Sequence, residues 1–256
     1  MRAVFKKVII EDLRKKSSSY YRNNYETQSV HNYLRRLRLD LIKKRIEQEQ
    51  KGKFILDVGC GPAILYQDLL SRCERYFALD ISQSSLKEIK LKNFSSKLRY
   101  ICADLDDFIW ESDYFDIIIC LGVLEYTQKP ADNLIKLVMY LKKNGILLCS
   151  FPNMLSPYRI WSEFAFKYFY LIKKMIRKEK EKIYPRKLFN ESKLRKKIAK
   201  IEPSHVETKY FGFKLFPQPF DFFLSNIDHK LISFFHEHPV KIWEKFCSEF
   251  LLIVRK

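Results

Sequence analysis

The chain has 256 residues, 47% of them apolar and 15% aromatic, and carries 48 lysines and arginines against 30 acids for a net charge of +18. That supply of apolar side chains excludes a disordered or low-complexity protein and suffices for one large core with appendages. The opening MRAVFKKVIIEDLRKK breaks its short apolar run at Glu11 and Asp12, Glu163 and Lys167 interrupt the best membrane-span candidate, Ile160 to Ile172, and the expected location is therefore cytoplasmic.

The charge is unevenly placed. Basic residues outnumber acidic ones 15 to 6 over residues 1–53 and 22 to 11 over 151–256, whereas 54–150 holds 11 against 13. The positive field therefore belongs to the flanks and not to the centre. Six cysteines show no CxxC or Cys/His ligand spacing, and Cys102, Cys120 and Cys149 fall inside strand-like runs. They read as free thiols in a reducing compartment, and no metal site is expected.

In chain order, Val30, Leu34, Leu37, Leu41, Ile42 and Ile46 recur at helical spacing, an amphipathic helix with a basic outer face over about 28–50. Phe54 to Val58 then reads as a buried strand, Ile64 to Cys73 as helix, Tyr76 to Ile81 as strand, and Ser82 to Asn93 as a helix with a serine cap. Leu98 to Ala103 and Phe115 to Val123 read as strands, Ala131 to Lys143 as a helix stopped by Asn144-Gly145, and Ile146 to Phe151 as a fifth strand. Such alternation predicts right-handed crossovers and a parallel sheet covered on both faces.

After Pro152 the rhythm changes. Tyr158 to Lys182 reads as a long, aromatic and basic helical stretch, and Phe189 to Lys200 as a second helix opened by Asn190. Val206 to Phe213 and Glu249 to Val254 read as strands able to pair antiparallel, joined by an aromatic segment, Phe216 to Phe246. The predicted fold class is α/β, a Rossmann-like doubly wound sheet, mostly parallel with an antiparallel final strand, plus helical insertions. It divides into a helical lid (1–53), a core (54–151), a helical substrate-covering insertion (152–204), and final strands with their aromatic connection (205–256).

The run Phe54-Ile55-Leu56-Asp57-Val58-Gly59-Cys60-Gly61-Pro62-Ala63 empties a buried strand into a Gly-x-Gly turn that opens a helix. Glycine lets the backbone turn sharply and approach a ligand, and the helix start presents free N–H groups. Asp80 ends the next strand, 21 residues after Gly59, where a carboxylate can accept from two ribose hydroxyls. Asp104 ends strand three, positioned for an adenine amino group. Taken one at a time each acid reads as a cap or a solvated carboxylate, as Asp106, Asp107 and Asp113 do; aligned with the glycine turn at one sheet edge, the three mark a cofactor site.

These motifs resemble the class I S-adenosylmethionine (SAM) dependent methyltransferases: ILDVGCGPA is similar to motif I, ALDIS to motif II, CADLDDF to motif III and DIIICLGVLEY to the strand-four motif. The resemblance covers about residues 28–151, with EFLLIVRK similar to the family's last strand. It implies that Asp57, Gly59, Cys60 and Gly61 line the methionine part of SAM, that Asp80 holds the ribose and that Ile81 packs on adenine. It also implies that Asp104 and the Leu105 backbone read the adenine edge, and that the Leu121-Gly122 backbone faces the methionine end. Ala63 departs from the usual glycine, and Tyr126 replaces a frequent histidine, which leaves no inherited general base. NAD binding shares the glycine turn and the acid, but Ile64 and Pro62 stand where that fingerprint needs a small residue and a supple turn.

Methyl transfer from a sulfonium chiefly requires alignment of the acceptor. Glu125 is the nearest base by position; His31 and His205 would serve only if the lid and sixth strand folded over the site, and His229, His236 and His238 read as surface residues. Leu121-Gly122-Val123-Leu124-Glu125-Tyr126 lacks the Asn/Asp-Pro-Pro-Tyr of base amino methylation, and no Pro-Cys nucleophile follows. The expected acceptor is an oxygen of a small or lipid-linked hydrophobic molecule. The basic aromatic stretches at 158–182 and 216–246 read either as an anionic-membrane contact or as packing that closes the site. An RNA methyltransferase would also use basic flanks, though no RNA-binding module is recognisable. A non-catalytic relative would be expected to lose the cofactor acids, and all are present.

Overall fold

The computed structural model describes residues 30–50, 53–92, 95–162, 187–214, 225–238 and 241–256. Seven strands form one sheet: β1 (Lys53–Val58), β2 (Cys73–Asp80), β3 (Leu98–Cys102), β4 (Phe115–Leu121), β5 (Leu141–Pro152), β6 (His205–Phe211) and β7 (Glu249–Arg255). Their order is β3-β2-β1-β4-β5-β7-β6. β1 pairs in parallel with β2 and β4, and β3 and β5 extend the set on either side; β7 runs antiparallel to both its neighbours. The expected α/β class with an antiparallel last strand is found. The last two strands pair antiparallel at the end of the parallel set, as expected, with β7 beside β5 and β6 at the edge.

The helices are α1 (Val30–Glu47), α2 (Ile64–Leu69), α3 (Gln83–Lys92), α4 (Pro130–Met139), α5 (Glu191–Ile198), α6 (Ser225–Glu237) and α7 (Lys241–Glu244). Strand residues alternate between two buried layers, as period-two side chains must. Ile55, Ile117, Ile119, Ile146, Leu148, Leu251 and Ile253 face a layer with Leu34, Ile42 and Ile46 of α1, Leu65 and Leu69 of α2, Leu86 and Ile89 of α3 and Ile232 of α6. Leu56, Val58, Ile118, Leu147, Leu252 and Val254 face Leu134, Leu137 and Val138 of α4 and Leu194 and Ile198 of α5. The sheet is thus covered on both sides.

Ser82 and Asn190 cap as their types predict: Ser82 Oγ accepts from Ser85 N at 3.2 Å and Asn190 Oδ1 from Lys193 N at 3.1 Å. Two helices are shorter than their spacing suggests. α2 ends at Leu69, because the chain must return at Cys73 to pair with Lys53. α4 ends at Met139, since Leu141 is drawn into the sheet beside Phe115 and the strand shifts register before Ile146, with Asn144 at φ 64° in the irregular stretch. Most of the predicted helical stretch Tyr158 to Lys182, and Phe216 to Phe223 of the aromatic segment, lie outside the described residues. Among the described residues no helix is long and apolar enough to cross a membrane.

Candidate functional site

The carboxyl ends of β1, β2, β3 and β4 meet at one edge, where an open α/β sheet binds ligands. There the chain leaves β1 through Gly59 at φ 67° and Gly61 at φ 50°, and Ala63 at φ 49° begins α2. The amides of Gly59 and Cys60 both donate to Leu79 O, at 2.7 and 3.1 Å, binding the turn to β2. A Cβ on Gly59 would stand 2.2 Å from Val123 Cγ2, so the loop after β4 lies directly on the turn. Ala63 holds a left-handed conformation that glycine adopts freely, a strained substitution in an otherwise glycine-built turn.

Asp80 staples the turn to the β2 end: Oδ2 accepts from Gly61 N and Oδ1 from Ser82 N, both at 2.8 Å. Burial pushes its carboxyl above the usual range, and these backbone donors oppose the shift. Asp57, fully buried on β1, accepts from the Tyr76 hydroxyl at 2.6 Å. Burial pushes it to about 7, the Tyr76 hydrogen bond working against the shift and the Asp80 charge with it. Cys60 is buried in the turn, and its thiol is pushed well above its usual value by burial and by Asp57, which makes it inert.

Asp104 Oδ1 accepts from Asp106 N at 3.0 Å, and Ala103 N donates to Asp80 O at 3.2 Å, so the ends of β2 and β3 are held side by side. Ile81 is half-buried between them. The Leu105 side chain sinks into the core, and its carbonyl accepts from Lys136 Nζ at 2.6 Å. Asp106 is a fastener rather than a solvated acid: its carboxylate accepts from Gln128 N at 2.9 Å and Asn133 Nδ2 at 2.7 Å, tying this loop to the start of α4.

At the end of β4, Leu121 and Gly122 open a second half of the site. Gly122, at φ 69°, donates its N–H to Ser150 Oγ of β5 at 3.1 Å. Arg38 of α1 donates to the same oxygen at 3.4 Å and pairs with Glu249 of β7 at 3.5 Å, while Arg159 donates to the other Glu249 oxygen at 2.7 Å. A Cβ on Gly122 would lie 3.6 Å from Arg38 Nη1 and 3.7 Å from Glu125 Oε1. Glu125 is buried at this point, so it shares the site with Arg38.

The structure therefore brings Asp57, Gly59, Cys60, Gly61, Asp80, Ile81, Asp104, Leu105, Leu121 and Gly122 to one sheet edge. Sequence reasoning missed Arg38, Ser150, Arg159 and Glu249. A usable signal existed for Ser150, a lone hydroxyl in the apolar strand ILLCSFP. The condition under which His205 would serve is not met: it opens β6 opposite Arg255, at the far edge of the sheet, because β6 runs in the same direction as β5. The side chains of His31, His229 and His236 lie outside the described residues, and His238 is exposed and stacks on Phe234 at 5.1 Å.

Residues 56–149 match the methyltransferase domain family. This stretch, from β1 to β5, is similar to SAM-dependent methyltransferase domains. Malonyl-(acyl-carrier protein) O-methyltransferase of Halalkalibacterium halodurans is 31% identical over 117 residues, 43% of each chain. Ubiquinone biosynthesis O-methyltransferase of Rickettsia prowazekii is 28% identical over 150 residues, 56% of this chain and 58% of that one. The matched part of the chain spans about half the length of these relatives. Magnesium protoporphyrin IX methyltransferase of Synechocystis with bound SAH superposes with a TM-score of 0.63 at 15% identity, covering 98% of this chain and 100% of that one. A SAM-dependent methyltransferase from Mesorhizobium loti superposes with a TM-score of 0.57 at 16% identity, over 84% and 96% of the chains. The methyltransferase domain shares its fold with both.

Proposed function

We propose that the protein transfers a methyl group from SAM to an oxygen of a small or lipid-linked hydrophobic acceptor. The observation that carries this reading is the pair of carboxylates at the ends of β1 and β2, Asp57 buried and Asp80 half-buried. Asp57 and Asp80 are both pushed up by burial and stand either side of a positive-φ glycine turn. Buried carboxylates seek donors or cations, and SAM offers ribose hydroxyls, an ammonium and a sulfonium.

In this reading Asp80 accepts from the ribose hydroxyls while Gly61 and Ser82 keep its orientation. Asp57 and the Gly59-Cys60-Gly61 backbone hold the methionine part, and Leu121-Gly122 face it. Ile81 packs on adenine, and Asp104 with the Leu105 backbone reads its edge. When bound, SAM supplies an activated methyl on a cationic sulfur. The chain's own task is orientation and exclusion of water. Arg38, Ser150, Glu249 and Arg159 form the polar wall of the acceptor side, and Glu125 is the carboxylate closest to Gly122 that could take a hydroxyl proton. The relatives named for O-methylation support oxygen as the target.

Calorimetric titration tests the cofactor, with SAM and NADH as separate ligands and Asp80→Ala as control. Micromolar SAM binding, absent for NADH and lost in the variant, is expected; NADH binding by the folded protein would overturn the reading. A panel of long-chain carboxylic acids and prenylated phenols, read by SAH release, then identifies the acceptor oxygen; turnover of neither class would refute the acceptor assignment.

A further inference from the structure

Two segments of the chain are locked together beside the acceptor side. The Asn153 side-chain amide, just after β5, donates to the carbonyls of Lys245 and Cys247, each at 2.8 Å, and Asn153 N donates to Ser248 O at 3.0 Å. The turn after β5 and the helical residues 157–162 are thereby fastened to the loop between α7 and β7. Both pieces turn large apolar side chains outward. On the first, Leu155, Ile160 and Trp161 are exposed, the last two by 54% and 51%; on α7 and the loop after it, Trp243 and Phe246 are exposed. Phe234 of α6, 53% exposed, continues the set through Phe235, whose ring lies 5.5 Å from Phe234 and 6.5 Å from Trp243.

Single exposed apolar residues are ordinary, but five large ones on two joined segments, with Phe234 linked to them by ring contacts, are not. Exposed lysines lie on or next to the same elements: Lys230 on α6, Lys245 beside Phe246, and Lys187 two residues before Phe189, whose carbonyl accepts from Met154 N. A protein partner's interface core would be depleted of charge, whereas tryptophan and phenylalanine set among lysines match the boundary of an anionic bilayer.

We propose that this rim docks the protein on an anionic phospholipid surface, with Trp161 and Trp243 at the headgroup boundary. Arg159 sits in the same helical turn as Trp161 and points the other way, to Glu249 at 2.7 Å, so the docked face and the acceptor wall are back to back across one turn. That a lipid-linked acceptor would enter there rests on the function proposed above; the docking itself does not.

The tryptophans make the test direct, since the chain has three and the third, Trp110, packs among Phe77, Phe108 and Tyr114. The full chain is mixed with vesicles of equal parts phosphatidylglycerol and phosphatidylcholine, or of phosphatidylcholine alone, with and without brominated acyl chains. Expected are co-sedimentation with the anionic vesicles and bromine quenching that Trp161→Phe and Trp243→Phe each reduce. Trp161→Glu with Trp243→Glu weakens vesicle binding about tenfold or more while SAM titration and thermal midpoint stay unchanged. No vesicle binding, binding without quenching, or a concentration-dependent dimer in place of vesicle binding would each overturn the proposal. Vesicle binding retained by a protein that fails to bind SAM would sink the proposed function and leave the docking standing.

Discussion

The Tyr76 hydroxyl donates to Asp57 Oδ2 at 2.6 Å, across from β2 to β1, with both side chains buried beneath the glycine turn. Among the described residues this phenol is the side-chain donor to Asp57, and it offsets only part of the cost of keeping the charged form out of water. Asp57 is consequently set to about 7 rather than to an ordinary carboxylate value.

A pH dependence follows, and its sign is opposite to that of a salt-bridged acid. The unfolded chain loses this proton near 3.8 and the folded chain keeps it to about 7, so the folded state binds more protons in that window and stability falls as pH rises through it. Asp80, raised by burial, acts in the same direction. The thermal midpoint of the ligand-free protein is expected to drop between weakly acidic and weakly alkaline buffer, and Asp57→Asn to flatten the drop, as measured by scanning fluorimetry. SAM affinity, read by calorimetry, should rise over the same window in the native chain and not in the variant; equal slopes in both would contradict the role given to Asp57.

Gly59→Ala meets two obstacles at once. Its Cβ lands 2.2 Å from Val123 Cγ2, and the backbone sits at φ 67°. Together the strained conformation and the clash should cost about 2–4 kcal/mol. Adding Val123→Ala removes the clash and recovers part of the loss, leaving the backbone component of about 1–2 kcal/mol. Full recovery in the double variant, seen in denaturant melts, would show that the backbone conformation carries no cost.

Asp80→Asn keeps the shape and removes the charge. The amide leaves one oxygen to serve Gly61 N and Ser82 N and turns an NH2 donor toward one of them. SAM binding should weaken by about 10- to 100-fold, the worth of charge-assisted hydrogen bonds of about 1.5–3 kcal/mol. An unchanged dissociation constant would remove Asp80 from the ribose site.

Glu249→Gln strips the shared counter-charge from Arg38 and Arg159. Its side chain is 17% exposed, so water replaces some of the loss, and we expect about 2 kcal/mol, below the full cost of a broken buried pair. For a chain of this size that corresponds to a fall of about 4–8 °C in thermal midpoint. If the cluster forms the acceptor wall as proposed, acceptor turnover falls further than SAM affinity; the reverse ordering, from parallel turnover and calorimetry, would reassign it.

Much of the fold was legible because its signals are local. The alternation of short apolar runs with helical periodicity requires only neighbouring residues, and the glycine turn with Asp80 and Asp104 is written in side chains that end consecutive strands. Boundaries were less legible: Leu141-Lys142-Lys143 continues the helical spacing of α4, yet Leu141 is drawn into the sheet beside Phe115. Propensity gives way there to a strand pairing that no local window contains.

By itself the sequence determined the two-faced α/β sheet and the cofactor edge, since each depends on periodicity or on residue types at short spacing, whereas the antiparallel last strand was implied by the resemblance of EFLLIVRK to a family strand. Only the tertiary structure decided that β7 enters between β5 and β6, and that insertion assembles the Arg38, Ser150, Arg159 and Glu249 cluster. Arg38, Ser150, Arg159 and Glu249 come from α1, β5, helical residues 157–162 and β7, separated by up to 211 positions. A serine in an apolar strand or an arginine on a basic helix is ambiguous until strand order sets which charges share a buried space, because electrostatic pairing depends on distance in space and not along the chain.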